Sequence, residues 1–226
     1  MAVASMINLN DIYPSIQGEG CLAGTPMVII RTQGCGVGCP WCDTKETWVL
    51  NERFRVVSLD SIPLLKPFWG TFDEFDIAER ARAVGPAIGW VLLTGGEPAE
   101  QVLGPLVDAL HAKSFRVAIE TSGTAMGHSG ASIDWVCVSP KIGMPGQKLI
   151  LVEAVTPADE IKMVVGKQDD IDMLDGLLAG VPGKPGRQIC LQPVSQQAKA
   201  TELCYRTCLE RGWRLSLQLH KFLDKP

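Results

Sequence analysis

The chain has 226 residues, 21 basic and 25 acidic, for a net charge of −4 at neutral pH and a sequence pI near 5.4; this balance excludes broad nucleic-acid affinity, because phosphate binding needs a basic face. With 46% hydrophobic and 20% charged residues it can bury one sizeable core, and we read residues 1–226 as a single α/β domain. Its first residues, MAVASMINLN, show neither the basic region nor the apolar core of a secretory signal, no run approaches membrane-spanning length, and eight unevenly spaced cysteines fit a reducing compartment, so the expected location is the cytoplasm.

In chain order, residues 7–20 predict a short extended segment ending in QGEG, where Gly18 and Gly20 flank Glu19. Such sequence suits either a plain surface turn or a loop that approaches a ligand closely. Residues 26–32, PMVIIRT, read as the first buried parallel strand, with Arg31 near the C-terminal end, where ligands bind in α/β barrels. An arginine there either pairs with a neighbouring carboxylate or grips one on a ligand through its planar fork. Next come Cys35, Cys39 and Cys42, spaced C-x3-C-x2-C within CGVGCPWCD. Three clustered thiolates are one short of a closed structural zinc site, whereas an iron–sulfur cluster on three cysteines leaves one iron open to a small molecule.

Residues 51–68 mix charges, apolar side chains and two prolines without a period, and read as an irregular insertion near a dimer contact or the active-site rim. Residues 72–84 predict a helix with Phe72, Phe75, Ile77 and Ala78 roughly on one face. Residues 90–94, WVLLT, are the second buried strand, and Gly95-Gly96 at its end marks either a strand-to-helix turn or a backbone grip on a ligand. Leu103, Leu106, Val107 and Leu110 trace a helical stripe; 115–120 is the third strand, ending in Glu120, which either caps the turn or faces the same rim as Gly96. No helix is expected over 121–134 or in the Gly/Pro-rich loop to 159, which flank a fourth strand at 135–139. A fifth strand at 160–165, a short helix at 171–178, a sixth strand at 188–193, a helix at 198–211 ended by Gly212, and an extended segment at 213–219 complete the chain. Six parallel strands with few crossover helices predict an open, partial TIM-like barrel.

Cys204 and Cys208, four apart on the last long helix, have metal-pair spacing but read as buried helix-face residues, and Cys137 and Cys190 as strand interior. Cys21 follows QGEG and is left unassigned. His111 and His128 are expected at the surface.

The cysteine spacing, Trp41 before the third cysteine and Thr94-Gly95-Gly96-Glu97-Pro98 downstream resemble the radical S-adenosylmethionine (SAM) superfamily. Within it, YPSIQGEG at 13–20, GCGVGCPWCDTKETW at 34–48, IETSGT at 119–124, VSPK at 138–141, LQPVS at 191–195 and WRLSLQLHKF at 213–222 resemble the 7-carboxy-7-deazaguanine synthases. The resemblance implies a radical SAM core with a 4Fe–4S cluster on Cys35, Cys39 and Cys42, whose open iron binds SAM and cleaves it to a 5′-deoxyadenosyl radical. It implies a lyase reaction, 6-carboxy-5,6,7,8-tetrahydropterin to 7-carboxy-7-deazaguanine with loss of ammonia, on the queuosine route to modified tRNA. It also implies SAM contacts from Trp41, Asp43, Gly96, Glu97, Ser139, Pro140, Lys141, Gln192, Pro193, Val194 and Ser195. Substrate contacts would come from Ile16, Gln17, Gly18, Glu19, Arg31, Thr94, Glu120, His220 and Pro226, with Mg2+ on Thr44, a homodimer, and a flavodoxin-like or other electron donor. Two readings compete with this one: a glycyl-radical-enzyme activase with the same cysteine loop, against which QGEG and the terminal HKF block count, and a non-catalytic zinc or iron–sulfur module.

Overall fold

The computed structural model describes residues 5–62 and 67–223, without the side chain of His220. Part of the 51–68 insertion and Pro226 therefore lie outside the described residues. The chain opens with β1 (Met6–Ile16), which pairs antiparallel with β2 (Pro26–Thr32) on one side and with β3 (Gly70–Asp73) on the other. After β3 come α1 (Glu74–Val84), β4 (Trp90–Gly95), α2 (Gly104–Ala112), β5 (Arg116–Thr121), β6 (Trp135–Val138) and α3 (Val152–Val155). They are followed by β7 (Glu160–Val165), α4 (Gln168–Gly180), β8 (Gln188–Pro193), α5 (Ala198–Arg211), β9 (Arg214–Leu215) and α6 (His220–Leu223).

One nine-stranded sheet results, in the order β3-β1-β2-β4-β5-β6-β7-β8-β9, with β3 and β9 at its edges. From β2 to β9 every pairing is parallel. The six parallel strands expected from the apolar runs are all present, and the sheet stays open.

Alternation along each strand divides its residues between two environments. Val28, Ile30, Val91, Leu93, Val117, Ile119, Val138, Ile161, Met163, Val165 and Leu191 join one apolar core with Ile77 and Ala81 of α1, Leu106 and Leu110 of α2, Ile171 and Leu174 of α4 and Cys204 of α5. The alternate positions, among them Arg31, Thr94, Glu120, Lys162 and Gln192, face a cavity on the inner side of the partial barrel. The helices thus cover the apolar face and leave the polar face for a ligand.

Several expectations need correction. The helix of 72–84 starts at Glu74 because Asp73 caps it, its carboxylate accepting from the N–H groups of Phe75 and Asp76. Phe72 belongs to β3, and Phe75 is 65% exposed while Ile77 and Ala78 are buried, so the four do not share one face. The extended segment at the start of 7–20 is a long antiparallel strand, Met6–Ile16, because Ile7 and Leu9 alternate into the core, and QGEG is the turn that follows it. The loop to 159 contains the single turn α3, and only Arg214–Leu215 of the segment 213–219 is strand. Within the insertion, Glu52–Phe54 and Leu59–Ser61 are short 3-10 turns. His128, expected at the surface, is only 5% exposed, and neither ring nitrogen has a partner. His111 is half-buried and bonds to Asp134 through Nε2 at 2.9 Å. Cys137, Cys190, Cys204 and Cys208 are buried as expected. Among the described residues, no helix is long and apolar enough to cross a membrane.

Candidate active site

The inner face of the sheet, the QGEG turn and the cysteine loop enclose a cavity of about 420 Å³. Cys35, Cys39 and Cys42 all line it, together with Trp41, Asp43 and Thr44 from the same loop. The loop is closed at its base, where the N–H groups of Gly34 and Cys35 donate to the carbonyls of Thr47 (2.7 Å) and Trp48 (3.1 Å). Gln33 braces it from below, donating to the carbonyls of Glu46 and Val49. Thr94 and the glycines after it play a mechanical part: Gly96 N–H donates to the Thr32 carbonyl, and Glu97 N–H donates to that of Gly34. A Cβ on Gly96 would run into the Gly34 backbone, so glycine is needed where the two segments cross. Those two N–H groups are therefore engaged by Thr32 and Gly34, and a grip on a ligand's amino group would come from backbone carbonyls instead.

The loop's donor set fits a metal cluster. Trp48 Nε1 donates to Cys42 Sγ at 3.4 Å, and Thr44 Oγ1 lies 3.7 Å from the same sulfur, contacts that orient and stabilise a ligating thiolate. Burial pushes the Cys35 thiol up to about 11 and raises that of Cys39, opposed at Cys35 by backbone bonds at Val37 and Gly38 and at Cys39 by the Lys141 charge. Both thiols hold protons in the metal-free protein, and a bound cluster displaces them. Among the described residues, the three sulfurs do not converge within 4.8 Å. A single ion needs that convergence, since two zinc–sulfur bonds of about 2.3 Å cannot span more; a multi-iron core does not.

At the opposite wall, Lys162 of β7 is buried between two carboxylates, 2.6 Å from Glu19 Oε2 and 2.8 Å from Glu120 Oε1. Burial alone would lower its pKa, but Glu120 and Glu19 outweigh that and hold it well above the usual lysine value. Gln17 Nε2 donates to Glu120 at 3.0 Å, and Gln218 Nε2 donates to Glu19 at 2.7 Å. The C-terminal segment is tied down there as well: Leu219 N–H donates to the Gly18 carbonyl, and Gly20 N–H donates to Ser216 Oγ. Between these two walls Arg31 donates to Tyr13 Oη at 2.9 Å, while its buried Nε has no partner. Its bond to Tyr13, rather than to Glu19, leaves the guanidinium available to the cavity.

Of the other sequence-named residues, Ile16, Gln17, Gly18, Thr94, Gly96, Ser139, Lys141 and Gln192 line the cavity. Glu97 lines it too, but its buried carboxylate accepts from Ala99 N–H, Thr121 Oγ1 and Ser122 N–H. Burial raises its pKa, and these bonds oppose the rise. Lys141 donates to Ser139 Oγ, and burial lowers its pKa against the pull of Cys39. Pro140, Pro193, Val194 and Ser195 lie outside the lining. His220 opens α6, and Pro226 lies outside the described residues. Cys21 is not part of the lining; its sulfur sits 3.6 Å from that of Cys190. Tyr13, Trp48, Lys162 and Gln218 line the cavity without having been singled out. The lysine was the detectable one, since a lone cation inside the apolar strand EIKMVV must face a partner.

No protein-family model matches the chain. It is similar to the 7-carboxy-7-deazaguanine synthase of Escherichia coli (strain K12), 44% identical over 220 residues that span 96% of this chain and 97% of that protein. The protein of that name from Buchnera aphidicola subsp. Schizaphis graminum is 35% identical over 218 residues, 95% of this chain and 97% of its own. Among solved structures, the crystal structure of QueE from Escherichia coli superposes with a TM-score of 0.86 at 42% identity, covering 94% of each chain.

Replacing Lys162 with Met leaves Glu19 and Glu120 facing each other without their cation. The expected loss is about 3 kcal/mol of stability, read from urea unfolding of the metal-free protein. Because the folded pKa of Lys162 is raised, its contribution is fully present below about pH 10 and is lost only as pH rises through the folded value. The wild-type advantage over Lys162→Met should therefore be constant across neutral pH. An unchanged urea midpoint in the variant would contradict the assignment.

Proposed function

This chain belongs to the 7-carboxy-7-deazaguanine synthase family, and from that premise we propose which of its residues hold the cofactors and which read the substrate. The enzyme is a radical SAM lyase of queuosine biosynthesis, and its substrate is 6-carboxy-5,6,7,8-tetrahydropterin. The observation that carries the assignment of residues is that the three cysteines, Arg31 and the Lys162 network all line one cavity.

Cys35, Cys39 and Cys42 hold the 4Fe–4S cluster. The chemistry that a bound cluster and SAM supply is reductive formation of a 5′-deoxyadenosyl radical able to abstract a substrate hydrogen. Around it, Trp41, Asp43, Gly96, Ser139, Lys141 and Gln192 form the SAM wall, with Glu97 holding the strand ends in place.

Arg31 takes the substrate carboxylate: its guanidinium offers parallel donors, and Tyr13 fixes its orientation. The opposite wall suits the amino and ring N–H groups of a pterin. Glu19 and Glu120 offer carboxylate oxygens as acceptors beside Lys162, and Gln17 can both donate and accept. Ile16, Gly18 and Thr94 complete this side, and His220 belongs to the same group. Thr44 Oγ1, beside the cluster loop, would be the protein ligand of a Mg2+ ion, which prefers oxygen ligands, retains waters and would supply positive charge near the substrate carboxylate. The chain acts as one domain over 1–226 and as a homodimer in the cytoplasm, takes electrons from a flavodoxin-like or other donor, and works on a free small molecule rather than on tRNA.

Arg31→Lys keeps the charge but loses the fork. It should weaken pterin binding by about 1.5–3 kcal/mol, roughly tenfold to a hundredfold, with cluster content and SAM affinity near wild type. Calorimetric titration alongside a thermal melt checks this, and unchanged pterin affinity in a stable, cluster-loaded variant would remove Arg31 from the site. For the metal, Thr44→Val should abolish the stimulation of turnover by Mg2+ added after thorough chelation while leaving the visible cluster absorbance intact. Equal stimulation in the variant and the wild type would take the ion off Thr44.

A further inference from the structure

Beneath the Lys162 network, toward the N-terminal ends of β7 and β8, lies a second group of metal-ligating side chains that the reaction does not use. Cys21 Sγ, Cys190 Sγ and a carboxylate oxygen of Glu160 all fall within 4.8 Å of one another. They come from three segments: the turn after QGEG, the third residue of β8 and the first of β7. We propose that Cys21, Glu160 and Cys190 form a binding site for a thiophilic divalent cation of the zinc type, separate from the cluster loop.

Two independent observations carry this. The first is the state of Glu160, which is 2% exposed. Its Oε2 accepts from Cys21 N–H at 3.1 Å and from Trp135 Nε1 at 3.2 Å, whereas its buried Oε1 meets no N–H or O–H donor, only the weakly donating Cys190 thiol nearby. No salt bridge among the described residues involves it. A buried carboxylate oxygen facing only a weak thiol donor costs free energy that a cation would recover.

The second is the spacing of the sulfurs. The two thiols sit 3.6 Å apart, and two zinc–sulfur bonds of about 2.3 Å at a tetrahedral angle place sulfurs about 3.8 Å apart. The pair is therefore spaced for one ion with little movement. Binding would displace two thiol protons to solvent and leave two thiolates and one carboxylate on the metal, with the fourth position open to water. In the metal-free state the hydrogen bond with Cys21, burial, and the charge and hydrogen bond of Glu160 all push the Cys190 thiol up, a rise that metal binding has to overcome.

The position gives the ion a structural role. Cys190 is the register partner of Lys162, and Cys21 lies two residues after Glu19, which pairs with that same lysine. A bound ion would fasten the QGEG turn to β7 and β8 directly under the substrate wall. The site stands on its own geometry and does not depend on the identity of the reaction.

The test is an anaerobic titration of cluster-loaded, zinc-free protein with Zn2+, followed by gel filtration and elemental analysis. The wild type should retain one zinc per chain with its cluster absorbance unchanged, and Cys190→Ser and Cys21→Ala should lose it. Repeating the titration on a chain with Cys35, Cys39 and Cys42 all replaced by Ala, which holds no cluster, should again give one equivalent. Cys21 lies in a half-exposed turn, so its variant remains informative if Cys190→Ser fails to fold. Co2+ in place of zinc should give a thiolate charge-transfer band that the same variants lack, and Zn2+ should raise the melting temperature of the wild type but not of Cys21→Ala. Absence of retained zinc, zinc retained equally by Cys21→Ala, or a Cys21–Cys190 disulfide in anaerobically purified protein would overturn the proposal.

Discussion

The ammonium of Lys162, held between Glu19 and Glu120, joins three segments that are far apart in sequence. Glu120 ends the inner face of β5, Lys162 stands in the middle of β7, and Glu19 belongs to the turn that follows β1. A charge this deeply buried is tolerated only when paired and hydrogen-bonded, so the two carboxylates must come to it and the backbone must follow. Gln17 and Gln218 each donate to one of the two carboxylates and bring the N-terminal turn and the C-terminal segment to the same wall. One side of the open sheet is thereby made polar and closed over, while the other is packed with aliphatic side chains under the helices.

The facing wall obeys a different constraint, set by backbone crossing rather than by charge. The cysteine loop leaves β2 through Gly34, and the turn after β4 passes directly against it, with Gly96 and Glu97 donating to Thr32 and Gly34. Gly95, at φ +117, also has no room for a side chain beside Thr32. Two motifs separated by some sixty residues are thus one mechanical unit: the TGGEP turn fixes where the loop leaves the sheet, and Trp48 closes the loop by bonding the third cysteine sulfur. Charge fixes one wall and close packing the other. The space left between them has Arg31 on its side, with a guanidinium nitrogen still unpaired.

The parallel strands were legible because each is a short, largely apolar run, and from β4 to β9 they pair in chain order. The antiparallel β1 was harder to see, since Asn8, Asn10 and Asp11 break up the apolar signal that Ile7 and Leu9 carry into the core. The cysteine loop was visible from spacing, and most of the SAM and substrate positions only through resemblance. Lys162, Tyr13 and Gln218 escaped notice because their role depends on which face of the sheet, or which end of the chain, meets the QGEG turn. Phe75 and His128 went the other way: a cap at Asp73 shifted the helix start past the expected face, and a glycine-rich loop that read as surface folded inward. Periodicity reports what is buried within one element, and it does not report which elements close over a common cavity.

The central claim is that this cavity brings a reductively cleaved SAM against a carboxypterin held by Arg31 and the Lys162 wall. The most direct measurement is anaerobic reconstitution of the cluster, incubation with a chemical reductant, SAM and 6-carboxy-5,6,7,8-tetrahydropterin, and mass spectrometry of the products. The account predicts 7-carboxy-7-deazaguanine, with 5′-deoxyadenosine formed when the pterin is present. Cleavage of SAM that leaves the pterin unchanged, or that requires a protein as hydrogen donor, would contradict it.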